Sequence, residues 1–493
     1  MRKWLPLLPI CLGTVMFTVD ITIVGVAMPE LSTALHASYT ALQWSIDGYV
    51  LVLAALVMAV GAASDRLGRR RVYLAGTAIF ALASLGCGAA STIELLILGR
   101  ALQGLGAAAM MVTNTALLAG TYDGRERGIA FGVWSGVTAV SAAGGPLVGG
   151  ILTEQFGWRS IFLVNVPLAA IALVSGRRWL SPFPGTATTR IDVPGTLVFV
   201  CAATLTIFGL TRAGGQGWGD VVVPVCFAGA AVALVAFWLI ERRSPHPMID
   251  LALLRRASLL ALLLATLVFN AASVSDFVYR SIWLQSVVGL KPLMAGLALT
   301  PMGAAALVSA LLTGRYANAA DHRRPIGFGL LLIAAGAVAG RLLMSADASW
   351  TALVPGLVIS GAGVGMCSPV LASAVLAVAP PHRAGMASGI ANTLLQLGFA
   401  LGMPVAGTIL TASIRHTLTD AAVADPGAAT LAIANGHPTD LSAQTVHAAF
   451  AMALDKVFLL DAALALAAAL LVLLLMRPTR SAESPEPALA GHR

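Results

Sequence analysis

The feature that most limits how this chain can fold is a succession of fourteen apolar stretches, each near the ~20 residues a helix needs to cross a bilayer. They run over 5–28, 44–63, 72–91, 95–119, 128–151, 160–178, 193–212, 220–240, 257–280, 293–313, 326–344, 351–378, 386–410 and 452–476. A soluble globule is excluded, because 58% of the 493 residues are apolar and only 11% are charged, too few to face water. In lipid each backbone polar group must find its partner within the segment. The expected fold is therefore all-α, an integral membrane bundle of 14 transmembrane helices, with the lipid bilayer as its solvent.

The net charge of +8 is scattered over short loops, which argues against nucleic acid. An even number of spans puts both termini on one side. Of the 30 Lys and Arg residues, 22 fall in loops and tails on that side, six on the other, and Arg100 and Arg280 lie within helices. Such a bias marks the side of the termini as cytoplasmic. The amino-terminal Met-Arg-Lys-Trp run imitates a secretory leader, but Asp20 interrupts the apolar stretch and no small-x-small cleavage site follows, so it reads as helix 1. The five cysteines lie in separate apolar stretches without CxxC spacing and read as packing residues.

The chain is internally duplicated. Arg125 to Leu152 and Arg383 to Leu410 align without a gap at an offset of 258, and Asp20 corresponds to Asp276 at nearly the same offset. This predicts a six-helix half over 1–180, inserted helices 7 and 8 over 181–241, a second six-helix half over 242–476 and a cytoplasmic tail over 477–493. An external segment near 412–451, with a short helix around 442–450, precedes the last span. Repeats of this kind let two rigid halves expose one central site alternately.

Between helices 2 and 3 stands Gly61-Ala-Ala-Ser-Asp65-Arg66-Leu-Gly68-Arg69-Arg70. Glycine allows the sharp turn of a short loop, the arginines hold it in the cytoplasm, and Asp65 is favourable near a helix amino terminus. A plain positive-inside loop explains the arginines but not the whole spacing. The run resembles the GxxxDRxGRR signature of the major facilitator superfamily at every defined position. That resemblance implies a latch between the cytoplasmic ends of the two halves, carried by Gly61, Asp65, Arg66, Gly68, Arg69 and Arg70. A degraded copy, Gly314-Arg315 through Asp321 and Arg323-Arg324, sits in the equivalent loop of the second half.

Helix 5 carries Gly128, Gly132 and Gly136 at four-residue steps, then Gly144-Gly145-Pro146-Leu-Val-Gly149-Gly150. Small residues on one face let helices approach closely, and a mid-helix proline bends the segment. Simple packing suffices for the first three glycines. The second run resembles the motif that marks proton-driven exporters of the superfamily. Helix 1 ends in Val19-Asp20-Ile-Thr22-Ile-Val-Gly25-Val-Ala27-Met28-Pro29, similar to the LDxTIVNVALP run of the fourteen-helix drug:proton antiporter-2 family, from which Val19, Gly25 and Met28 depart. With Trp44-Ser-Ile-Asp47-Gly-Tyr49 and the run from Trp158 to Pro167, the likeness covers nearly the whole chain and is nearest the QacA and SmvA type of cationic biocide exporters.

An ionised carboxylate at membrane depth is costly, so Asp20, Asp47 and Asp276 are functional candidates in their own right. Burial disfavours the charged form and a nearby cation favours it, which lets one acid exchange a proton for a cationic drug. Asp20 lies about 8 residues, roughly 12 Å, from the expected outer end of helix 1. Arg100, in the Arg100-Ala-Leu-Gln103-Gly104-Leu-Gly106 run of helix 4, is at similar depth, and the run matches a superfamily motif associated with proton coupling. Each acid has a plainer alternative: a static ion pair for Asp20, an interfacial place for Asp47, and a local pair with Arg280 one turn on for Asp276. Trp44, Tyr49, Trp134 and Phe277 offer ring faces for a cation, or else serve as anchors and packing residues.

The leading expectation is a proton-coupled antiporter exporting lipophilic cationic drugs, dyes or quaternary ammonium compounds across a bacterial inner membrane, with no cofactor and acting as a monomer. Its alternative is an exporter of a neutral or anionic metabolite or antibiotic. A sensor or a membrane enzyme has less support. ATP drive is excluded, because Lys3, Lys291 and Lys456 are the only lysines and none follows a glycine as the phosphate-binding loop requires.

Overall fold

The computed structural model describes residues 2–37, 39–182, 192–244, 255–290, 292–316, 322–344, 349–378, 384–434 and 441–476. Every regular element among them is helical. The first half comprises α1 (Leu7–Ala34), α2 (Tyr39–Leu67), α3 (Arg69–Gly88), α4 (Ile93–Thr121), α5 (Gly124–Phe156), the short α6 (Ser160–Leu163) and α7 (Asn165–Trp179). Then come α8 (Val193–Gln216) and α9 (Val222–Arg243), followed by α10 (Ala257–Ser286), α11 (Pro292–Tyr316), α12 (Arg323–Leu343), α13 (Val354–Val378), α14 (Ala384–Asp420), α15 (Pro426–Ala434) and α16 (Ala443–Leu475). Among the described residues 12 helices are long and apolar enough to cross a membrane, and up to 14 when each of two bent pairs counts as one span. The bent pairs belong to α2, broken by 51° after Val57, and α5, broken by 49° after Ala142. The α5 break spans Gly144, Gly145 and Pro146, where the imide nitrogen has no proton to give the helix ladder.

The two halves repeat one packing scheme. In the first, α1 packs on α5 and α7, α4 on α2 and α3, and α3 on α7. In the second, α10 packs on α14 and α16, α13 on α11 and α12, and α12 on α16. The halves meet along two seams, α2 with α14 and α5 with α11. The inserted α8, backed by α9, lies against the first of these, on α2 and α14. Glycine makes the tightest approaches possible: a Cβ at Gly106 of α4 would lie 2.7 Å from the backbone nitrogen of Phe80 in α3.

Two stretches run longer than their apolar content suggests. The first helix continues to Ala34, leaving Asp20 about 14 residues, roughly 21 Å, from its outer end. In the external segment α14 extends to Asp420, the short helix occupies Pro426–Ala434, and 442–450 forms the start of α16, capped by Ser442, whose hydroxyl accepts the Thr445 amide at 3.2 Å. Polar residues continue these helices beyond the lipid: Thr417 and Thr419 return their hydroxyls to the carbonyls of Ser413 and Arg415 at 3.0 and 2.8 Å. The tail at 477–493 lies outside the described residues.

Candidate functional site

Asp20 of α1 and Arg100 of α4 form a salt bridge deep in the first half, with Asp20 only 1% and Arg100 0% exposed. Arg100 Nη1 donates to Asp20 Oδ2, while Asp20 Oδ1 accepts from Gln103 Nε2 at 3.2 Å and from Asn165 Nδ2 of α7 at 3.1 Å. Arg100 is aimed by α2: its Nε donates to the Ser45 carbonyl at 2.9 Å, and its guanidinium stacks 4.3 Å from the Tyr49 ring centroid. Gln103, one turn on, takes an Arg100 proton at 2.9 Å and gives one to Ser84 of α3 at 2.8 Å. Five helices thus converge on one buried carboxylate. The spacing of the RxxQGxG run accounts for this, because positions three apart share a helix face.

The second half holds a differently built centre. Arg280 Nε and Nη2 both donate to Asp276 Oδ1, at 2.8 and 2.6 Å, so the neighbouring-turn pair is formed. The guanidinium lies 4.7 Å from the Phe458 ring centroid, in a space that glycine keeps open: a Cβ at Gly356 would come 2.9 Å from Nη1 and one at Gly340 3.1 Å from Nη2. Asp461 of α16, 2% exposed, accepts from the Ser275 hydroxyl at 2.7 Å. Sequence reasoning passed over Asp461 and the hydrogen bond of Asn165. Asp461 carries the same signal as Asp20, an acid inside an apolar stretch.

Asp47 joins neither centre. It is buried against the inserted α8, where Thr211 Oγ1 donates to its Oδ2 at 3.4 Å. One turn earlier, Trp44 meets Phe208 of the same helix with ring centroids 5.6 Å apart.

Helices α2 and α3 are separated by a single residue, Gly68, whose φ of 95° is poorly tolerated by any residue with a Cβ. Asp65 and Arg69 pair at 3.8 Å, Arg69 Nη1 donates to the Ala116 carbonyl at 3.2 Å, and Arg70 donates to the Arg177 carbonyl. Gly61 faces Val112 of α4 at ordinary contact distance, and Arg66 closes the last turn of α2. Among the described residues these bonds stay within the first half. Asp321 and Arg383 of the second half lie outside the described residues.

The sequence profile of the Major Facilitator Superfamily matches residues 10–403. The chain belongs to the major facilitator superfamily. Among its relatives, Multidrug resistance protein Stp of Mycobacterium tuberculosis is 34% identical over 421 residues, covering 84% of this chain and 78% of that protein. Tetracenomycin C resistance and export protein of Streptomyces glaucescens is 30% identical over 510 residues, covering 99% and 93%. Puromycin resistance protein pur8 of Streptomyces alboniger is 33% identical over 469 residues, covering 94% and 91%. These names agree with the drug:proton antiporter-2 likeness, and the chain is a multi-pass membrane transporter, not an enzyme.

In this superfamily member the GGPLVGG run presses on the helix that bears Asp20. A Cβ at Gly149 would lie 2.7 Å from Ile23 Cγ1, and one at Gly145 would collide with the Thr22 hydroxyl. Gly144 faces open space and Gly150 is half-buried; the side chain of Pro146 lies outside the described residues. Of the aromatic candidates, Tyr49 is fully buried and gives its ring face to Arg100, so that face is closed to cargo. Trp134 is half-buried and donates to Thr14 Oγ1 at 2.8 Å, and Phe277 is half-buried against the core of the second half.

Proposed function

We propose that this chain is a proton-coupled antiporter that exports lipophilic drugs, cationic dyes and quaternary ammonium compounds foremost, across the bacterial inner membrane, with both termini cytoplasmic, as a monomer and without a cofactor. The observation that supports this most is the dry Asp20–Arg100 pair, tied to α1, α2, α4 and α7 at once. A proton arriving on Asp20 removes the charge that holds Arg100 and loosens the bonds between these helices. Buried pairs are costly to leave half made, so the protonated state favours a different arrangement of the helices. Export of cargo on one arrangement and release of the proton on the other gives exchange. The membrane potential contributes about 2.3 kcal/mol per charge per 100 mV, enough with a pH gradient to drive accumulation without ATP. In this reading the Gly61 to Arg70 loop latches the cytoplasmic ends, and Asp47, which accepts from the Thr211 hydroxyl and among the described residues forms no ion pair, meets the positive charge of cargo.

One observation favours a second reading, export of a neutral or anionic antibiotic with the acids serving proton coupling alone: Asp20 and Asp276 are both already paired with the protein's own arginines. The relatives named for tetracenomycin and puromycin support antibiotics as a cargo class. Proton release from inverted vesicles on adding ethidium, a quaternary ammonium compound or a neutral antibiotic separates the two. The cationic reading expects release with the first two in the native chain and none in Asp20→Asn. Silence with every cation, in vesicles holding folded protein, rejects it in favour of the second reading.

A further inference from the structure

In the second half two buried carboxylates lie near one guanidinium, and Asp276 alone is bonded to it. Asp276 gives both its ionic bonds through Oδ1, leaving Oδ2 unpartnered; Asp461 uses Oδ1 for Ser275 and leaves Oδ2 unpartnered; and Arg280 leaves Nη1 unpartnered. All three side chains are buried, at 2%, 2% and 0% exposure. Ser275 adjoins Asp276 in the chain, and Asp461 lies one turn beyond the Phe458 ring on which Arg280 rests, so the charges of Asp276 and Arg280 both act on Asp461.

The charge count decides what this cluster holds. With both acids ionised it carries one uncompensated negative charge in an apolar interior, which costs several kcal/mol. Among the described residues the surrounding helices supply no second cation at this depth. On α16 itself Asp455 and Lys456 lie about 6 residues, roughly 9 Å, nearer the outside, and His447 lies about 14 residues, roughly 21 Å, away in the first turns of the helix. On α12 Arg341 is spent on Asp455 at 2.9 Å, and Arg323 and Arg324 stand at the opposite end. On α14 the titratable groups are Arg415, His416 and Asp420 at its outer end, and on α10 the remaining one is the Tyr279 phenol, which donates to the Met403 carbonyl at 2.9 Å. Neutrality of the cluster requires one proton on one carboxyl.

The first half shows the contrast. There the helix equivalent to α16 contributes Asn165, an amide that donates to Asp20, and the site balances one carboxylate against one arginine with no proton bound. Placing an acid where the other half has an amide turns an ion pair into a proton-binding site.

We infer that Asp461, set beside the Asp276–Arg280 pair through Ser275, forms with it a second proton-binding site in the second half, one that holds a single exchangeable proton. This extends the antiport reading above, but its test does not depend on transport. The infrared spectrum of the full chain in lipid is recorded from acid to alkaline buffer and in D₂O, for the native protein, Asp461→Asn and Asp20→Asn. The native spectrum is expected to contain a carboxylic-acid band that shifts in D₂O and vanishes as pH rises. Asp461→Asn, which still accepts from Ser275, is expected to lose one carboxyl's worth of this band, and Asp20→Asn to keep it. Should Asp461→Asn fail to fold, Asp276→Asn serves, since it leaves one carboxyl to one guanidinium and is expected to lose the same band. A native spectrum without a titrating band, or one unchanged in the folded variants, overturns the inference. So does a band that is lost in Asp20→Asn and kept in Asp461→Asn.

Discussion

The Asp20 and Asp276 centres occupy equivalent places in the two halves but are wired differently. In the first, the arginine comes from another helix: Arg100 on α4 reaches Asp20 on α1, the Ser45 carbonyl on α2 and, through Gln103, Ser84 on α3. In the second, acid and arginine sit four residues apart on α10, and the bonds that leave the helix are a long one from Arg280 Nη2 to the Gly336 carbonyl of α12 at 3.4 Å and the one from Ser275 to Asp461 of α16. On the proposed reading, breaking the first ion pair unlinks helices while breaking the second mainly alters charge, so that one half would carry a mechanical lock and the other a proton-holding cluster.

The largest expected difference between the two is in stability. Arg100→Ala leaves a buried carboxylate unpaired and is expected to cost about 3–5 kcal/mol. Asp461→Asn removes a surplus acid while keeping an acceptor for Ser275 and is expected to cost less than about 1.5 kcal/mol. Thermal unfolding of the two variants in detergent checks this, and equal losses would break the contrast. Gly356→Ala comes next, at about 1–3 kcal/mol, because the new methyl must displace the Arg280 guanidinium from its slot; a neutral result would mean that the slot does not position Arg280. The smallest effect belongs to the exposed Asp65–Arg69 pair, where Asp65→Ala is expected to change stability by about 0–1 kcal/mol. A larger loss there would show that the loop bears load even in this arrangement.

The membrane fold is legible in the sequence because hydrocarbon demands long apolar helices whatever their packing, and the bend in α5 is legible because Pro146 has no amide proton. The Asp20–Arg100 contact is within reach of sequence reasoning too, since both are charges in apolar helices at comparable depth. Asp461 is equally visible by that rule, although no motif surrounds it. What sequence cannot display is the slot for Arg280: Gly336, Gly340 and Gly356 are distant in sequence from Arg280, and their small size acquires meaning only once α12 and α13 stand against α10. The outer ends of α1 and α14 run past the apolar limit because the backbone bonds of a helix are internal, so it continues beyond the apolar stretch with polar side chains such as Ser32, Thr33, His416 and Thr417.

The most direct test of the coupling role of Asp20 compares uphill export with cargo-for-cargo exchange in proteoliposomes, for the native chain and Asp20→Asn. The proton-lock account predicts that the variant loses accumulation driven by a proton gradient while retaining exchange of labelled for unlabelled cargo, because the helices still rearrange but no longer require a proton. Undiminished gradient-driven accumulation in Asp20→Asn would contradict it.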